Sequence, residues 1–247
     1  MAITRPEASE QGGFDKVFLF LREQLLSGAI SPGERLLGER ELCLRVGVSR
    51  PTLREALRAL AMLGVVEIRQ GAGTVVRRPD ASILGDFFAF AASQHGALVE
   101  DVMQARIAIE CQAIRLACAR ATLADFDRLR AALEDVVATI ADPDAGGLAD
   151  HRFHQAIVDA AASDTLGTLY AAITPLLLRS HRHRRETMTE VEDGRAYLIS
   201  HHRLIFDALA AGDPRRADEV LREHFAIGDD YRRRGRSGQH SQQDAKA

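Results

Sequence analysis

Asp150 and His154 stand four positions apart, so a helix through this segment stacks them on one face. That face continues into Ile157, Val158 and Ala161, which places both polar groups in an apolar stripe. Two more histidines share this character: His202 falls in line with Leu198, Ile205 and Leu209, and His224 with Ala217, Val220 and Leu221. Burying a carboxylate or an imidazole is costly unless it is hydrogen-bonded or bound to a metal. One carboxylate and three imidazoles can ligate a divalent ion such as zinc, nickel or manganese, leaving positions open for water or an acid. Each histidine taken singly also reads as a hydrogen-bonded core residue. His151, His181, His183 and His201 fall off these stripes and read as surface residues. Arg106 and Glu110 form a further i, i+4 pair, which reads on its own as a buried or interface ion pair.

The elements that must position these groups are helical throughout. The periodicity of apolar residues predicts helices over 80–94, 98–120, 123–140, 147–162, 165–186, 190–211 and 214–231. Breaks are expected at Gly96, at Pro143 with Gly146-Gly147, at Ser163-Asp164 and at Gly212-Asp213-Pro214. Pro175 should kink the helix that contains it. The run 179–185, rich in arginine and histidine, reads as a solvated face. From 232 to 247 the composition is biased and predicts a disordered tail.

The first third is organised differently. Residues 1–13 lack periodicity and predict a disordered arm. Val17, Leu21 and Leu25 mark an amphipathic helix over 14–27. A short helix over 39–46 ends at Gly47, and Ser49 stands as an N-cap before a third helix over 50–63, with Pro51 in its first turn. Two β-rich runs, 65–69 and 74–77, flank Gly71-Ala72-Gly73 and predict a hairpin. Residues 14–78 thus form a winged helix-turn-helix, three helices plus a β-hairpin wing, and 79–231 an all-helical bundle. A helix, a tight turn and a second helix with a basic first turn is the geometry that sets a recognition helix in the major groove of duplex DNA. Ser49, Arg50, Thr52 and Arg54 face outward, while Leu53, Ala56, Leu57 and Leu60 face the core. Arginine can bind guanine bidentately, and hydroxyls suit phosphates or base edges. Arg40 can reach the phosphate backbone, and the glycine-rich wing tip, with Gln70 beside it, is slim enough for a minor groove.

Charge supports this division. Residues 1–78 carry 12 Lys and Arg against 9 Asp and Glu, and the remainder 20 against 26, so a net charge of -3 conceals a basic module on an acidic body. The three cysteines, Cys43, Cys111 and Cys118, suggest no disulfide framework and read as buried thiols in a reducing cytosol. Neither a signal peptide nor a membrane span is visible, so a cytoplasmic protein is expected.

At this point two resemblances become specific. PGERLLGERELCLRVGVSRPTLREALRALAMLGVV followed by GAGTVV resembles the winged-helix domain of the GntR family of bacterial transcription regulators, from about Val17 to Val76. The resemblance implies that Arg40, Arg50 and Arg54 lead operator recognition, supported by Ser49, Thr52, Gln70 and Gly71. The stretches DHRFH, HHRLIFDALAAGD and ADEVLREHF resemble the helical effector domain of the FadR-type branch, the FCD domain, over roughly 80–230. Metal-binding members of that branch use an Asp and three His, and the matching positions are Asp150, His154, His202 and His224. Arg106 would then face the pocket and bind a ligand carboxylate. The chain departs from the branch at Ser163-Asp164, where a small residue followed by Asn is usual.

The resemblance implies a homodimeric regulator, a repressor in its usual form, that binds a palindromic operator and responds to a small organic acid at a metal-containing pocket. Three rivals predict different behaviour. A metal sensor binds its operator according to metal concentration alone. A constitutive DNA-binding protein with a structural metal ignores small acids. A metal-dependent hydrolase would need a general base, for which Glu110 is the nearest carboxylate.

Overall fold

The computed structural model describes residues 12–78, 81–93, 98–189 and 193–244. The chain divides into two compact units, Met1–Ile83 and Leu84–Ala247. The division falls five residues beyond the expected 78/79 boundary.

In the first unit, α1 (Gly13–Leu26), α2 (Glu39–Val46) and α3 (Arg50–Met62) are followed by the strands β1 (Val66–Arg69) and β2 (Gly73–Val76). α2 stops at Gly47, whose φ of +70° is the left-handed conformation that a helix end uses and that glycine adopts without strain. Ser49 then caps α3, its hydroxyl accepting from the Thr52 N–H, and Pro51 occupies the first turn. The strands pair antiparallel, Val66 opposite Val76 and Arg69 opposite Gly73, and Arg35 adds a bridge to Val75. Val17 and Leu21, Leu36, Leu42, the α3 face Leu53, Ala56, Leu57 and Leu60, and the wing residues Val66 and Val76 close one core. That face is the one apolar spacing assigned to the interior. Of the arm expected over 1–13, residues 1–11 lie outside the described residues, and Gly13 already belongs to α1.

In the second unit, α4 (Ser82–Ser93), α5 (Leu98–Arg120), α6 (Leu123–Ala138), α7 (Pro143–Ala160), α8 (Asp164–Thr189), α9 (Gly194–Ala210) and α10 (Pro214–Asp244) form an all-helical bundle. Thr122 and Asp125 cap α6 reciprocally, each side chain accepting from the other's backbone N–H. The main core gathers Ile114, Ala117, Leu129, Val136, Phe153, Ile157, Ile205, Leu209 and Leu221 from five helices. A second cluster sets Val102 and Ala113 of α5 and Val158 of α7 against Tyr170, Ile173 and Leu177 of α8. Arg120 donates to the Ala161 carbonyl from the end of α5 and so ties down the end of α7.

Two helices differ from expectation. α7 begins at Pro143, not at 147, and runs through Gly146 and Gly147, both buried. Asp142 accepts from the N–H groups of Asp144 and Ala145, with Pro143 in the first turn. A carboxylate cap of this kind is worth about 1 kcal/mol, enough to offset a glycine in the helix interior. α10 continues to Asp244, so residues 232–244, expected as a disordered tail, extend a helix in which no proline follows Pro214. α8 continues through Pro175, whose ring lies against Gly85 of α4: a Cβ there would come within 2.5 Å of the Pro175 Cγ.

Candidate functional site

In the first unit, every residue singled out for DNA contact lies on the surface of α2, α3 or the wing. Arg40, Ser49, Arg50, Arg54, Gln70 and Gly71 are exposed, and Thr52 is half-buried. Their hydrogen bonds, however, are unequal. The Ser49 hydroxyl is engaged by the Thr52 N–H at 3.3 Å and by the Thr52 hydroxyl at 2.8 Å. The Thr52 methyl packs where a Cβ on Gly13 would sit, so this side chain also fixes α1 against α3. Arg54 lies along Glu39, its Nε 2.9 Å and 3.0 Å from the two carboxylate oxygens and a second nitrogen 2.9 Å from one of them. An exposed pair of this kind is worth about 0–1 kcal/mol, so Arg54 can be drawn to a phosphate or a guanine at little cost. Arg35, which sequence reasoning passed over, lies across Gly73 of the wing: a Cβ there would come within 2.7 Å of its Nε. Gly73 has φ +88°, a second reason for glycine at that position.

The second unit assembles a different kind of site. Asp150 and His154 from α7, His202 from α9 and His224 from α10 are all buried, and one ligand atom from each lies within 4.8 Å of all the others. A divalent ion with bonds of about 2.1 Å needs only a sub-ångström contraction of such a set. The proton inventory also fits a cation. His202 Nδ1 is 2.7 Å from the Leu198 carbonyl, which only accepts, so Nδ1 carries the proton. Its Nε2 faces the cluster, 3.1 Å from an Asp150 carboxylate oxygen. That nitrogen makes no hydrogen bond of good geometry among the described residues. His224 Nδ1 is likewise buried without a hydrogen-bond partner among the described residues.

Around this cluster lies a shell held by Glu110 of α5, which is fully buried. Glu110 Oε1 accepts from Arg106 Nε at 2.7 Å and from the Tyr170 hydroxyl at 2.8 Å, while Oε2 lies 2.6 Å from His154 Nδ1. Burial works to raise the Glu110 carboxyl, but the Arg106 charge, followed by His154, outweighs it and holds it at about 2. Burial, reinforced by the Arg106 charge, lowers His154 to about 4. Burial first, then the neighbouring His202 and His154, keeps His224 well below the usual imidazole range. The rings of His154 and His224 are thus ready at neutral pH to act as ligands, since only the neutral ring binds a metal. Arg106 lies over the Phe225 ring, 4.8 Å from its centroid, and one of its terminal nitrogens is 3.8 Å from an Asp150 oxygen.

Sequence spacing therefore picked out the four clustered residues, and it misjudged one neighbour. His151 was expected at the surface, yet it is buried, stacked on Tyr170 at 5.8 Å and lowered to about 4 by burial and then by Arg106. Its seven-residue spacing from Val158, itself 1% exposed, was the available signal. His201 is half-buried beside Tyr197, and the side chains of His181 and His183 lie outside the described residues. Glu110 does not suit the hydrolase reading. A carboxylate held at about 2 and already shared by three donors is a poor general base.

Comparison with known proteins agrees with both halves. Residues 15–76 match the family described as bacterial regulatory proteins, gntR family, and residues 101–226 match the FCD domain. The HTH-type transcriptional regulator LutR of Bacillus subtilis (strain 168) is 30% identical over 200 residues, covering 81% of this chain and 91% of that protein. The HTH-type transcriptional repressor NanR of Citrobacter rodentium is 29% identical over 210 residues, covering 83% and 79%. Among solved structures, a GntR protein of Streptococcus agalactiae has the same fold, with a TM-score of 0.66 at 22% identity, covering 88% of this chain and 99% of that one. These families and relatives are transcription regulators, not enzymes. No helix among the described residues is long and apolar enough to cross a membrane. The chain belongs to the GntR family of bacterial regulatory proteins, as a DNA-binding transcriptional regulator whose winged helix-turn-helix is followed by an FCD domain.

Proposed function

We propose that this protein is a repressor that binds a palindromic operator as a homodimer and releases it when a small organic acid enters the FCD domain. The single observation that carries the reading is the buried acceptor cluster of Asp150, His154, His202 and His224 beside the Arg106 guanidinium. A divalent ion, zinc, nickel or manganese, would be held by those four residues and would supply a Lewis-acidic attachment point for a carboxylate. Arg106 supports a second contact to the same acid. Its Nε is committed to Glu110, while its buried Nη2 has only the Asp150 oxygen at 3.8 Å, beyond hydrogen-bond reach, among the described residues. Such a group costs free energy until an acceptor arrives.

On the DNA side, Arg50 and Arg54 at the start of α3 would read the major groove, with Ser49 and Thr52 on phosphates or base edges. Arg40 would contact the backbone, and Gln70 and Gly71 would carry the wing toward a minor groove. The N-terminus of α3 itself favours phosphate. A dimer is supported by the exposed Leu84, Phe87 and Phe88 of α4, a run of apolar surface of the kind that marks interfaces. A two-fold protein matches a two-fold operator, each α3 reading one half-site. The acid can change operator affinity only by binding the two states of the protein with different affinity.

The test is fluorescence anisotropy of the full chain on DNA flanking its own gene, with a panel of small carboxylic acids, before and after chelation. The expected result is that one class of acid weakens operator binding by about 5–150-fold, and only in metal-loaded protein. Affinity indifferent to every acid, or one that follows metal alone, would contradict the reading.

A further inference from the structure

We infer that Glu110 is a positioning residue: it holds His154 in the Nδ1–H tautomer and thereby turns the Nε2 lone pair toward Asp150, His202 and His224. The inference rests on the metal reading only for its consequence, since the tautomer is a property of the metal-free fold as well.

An ionised carboxylate only accepts hydrogen bonds. Glu110, with no exposed surface, can therefore be satisfied only by groups that donate to it. Arg106 Nε and the Tyr170 hydroxyl donate to Oε1, and both are donors by nature. The remaining oxygen meets His154 Nδ1 at 2.6 Å, so this nitrogen must carry the ring proton. The other nitrogen, Nε2, is then the one with a lone pair, and it faces an Asp150 oxygen 4.0 Å away. A neutral histidine in water divides between two tautomers, and a metal selects one of them. A fixed outer carboxylate removes that choice in advance, and removing such a partner lowers metal affinity by about 10–100-fold.

The same carboxylate also fixes the arginine. Held at Nε by Oε1 and stacked on Phe225, Arg106 cannot turn its Nε edge away from Glu110. Glu110 thus hydrogen-bonds both the cation proposed to bind an acid and a ligand proposed to bind a metal. Tyr170 touches Glu110 but neither of those functions. It closes the third bond, so its loss should leave the ring orientation unchanged.

This difference sets the test. Long-range proton–nitrogen NMR on the metal-free full chain reports the tautomer of each histidine, and His154 should read as Nδ1–H. Chelator competition with zinc, and the visible absorption of the cobalt form, then compare wild type with Glu110→Gln and Tyr170→Phe. Glu110→Gln should weaken zinc binding by about 10–100-fold, perturb the cobalt spectrum and mix the tautomers, whereas Tyr170→Phe should keep zinc affinity within about threefold of wild type and leave the spectrum and the tautomer unchanged. If Glu110→Gln keeps wild-type affinity and tautomer, the inference is overturned. Should that variant fail to fold, the wild-type spectrum still decides: an Nε2–H ring at His154 contradicts the assignment. Wild type that shows Nδ1–H yet binds no zinc would sink the metal reading while supporting the positioning role.

Discussion

The outer face of α3 and the interior cluster of the FCD domain are both dense in charged and polar groups, yet they are built on opposite terms. On α3 the arginines are exposed, and among the described residues Arg54 makes one exchangeable pair, with Glu39. In the cluster, a single carboxylate is shared by an arginine, a tyrosine and a histidine, with every member buried. The difference follows from what each must meet. DNA is a large polyanion whose phosphates displace surface partners readily, so affinity comes from many weak, salt-screened contacts. An ion and a small acid offer few contacts, so each must be arranged beforehand in a dry site where electrostatic interactions are strong.

Breaking the interior should therefore cost far more than trimming the surface. His202→Ala should weaken zinc binding by more than the ~100-fold that outer-shell changes reach, as read by chelator competition. It should leave the winged domain's affinity for non-specific DNA unchanged. On the reading face, Arg50→Ala should weaken specific operator binding by about 1–3 kcal/mol, seen in anisotropy as roughly 5–150-fold. Because Arg50 is exposed, its thermal unfolding should be that of wild type.

Acidity separates the two regions as well. His151 and His154 titrate near 4 in the fold against about 6.5 when unfolded, so between these values the unfolded chain binds more protons. The stability they contribute is complete above pH 6.5 and is lost as the pH falls toward 4. Thermal unfolding of the metal-free chain should show the FCD transition falling over that window, and a transition flat from pH 7 to pH 5 would contradict the burial of these rings. The smallest effect belongs to Glu39→Gln. It frees Arg54 and removes a negative charge near the phosphates, so operator affinity should rise by up to about 1 kcal/mol with stability unchanged.

Legibility in the sequence follows the same line. Local periodicity exposed the α3 core face Leu53, Ala56, Leu57 and Leu60, and the stripes containing Asp150, His154, His202 and His224, because a helix fixes which residues share a side. What joins distant segments was not legible. Glu110 meets His154 across 44 positions and Tyr170 across 60, and no spacing rule reaches that far. The Arg54–Glu39 pair, 15 positions apart, was hidden for the same reason. The start of α7 was misplaced because Pro143 and the two glycines read as a break, whereas in the fold Asp142 caps the helix and Pro143 occupies its first turn. His151 lies off the Asp150–His154 stripe, and only its seven-residue alignment with the buried Val158 marks it as interior.

The most direct measurement is calorimetric titration of small carboxylic and sugar acids into the full chain, once metal-loaded and once stripped by chelator. The account predicts heat from one class of acid in the loaded protein, lost on stripping and restored by the ion. Acid binding of equal strength in both forms would contradict it, leaving the Asp150, His154, His202 and His224 cluster no part in sensing the acid.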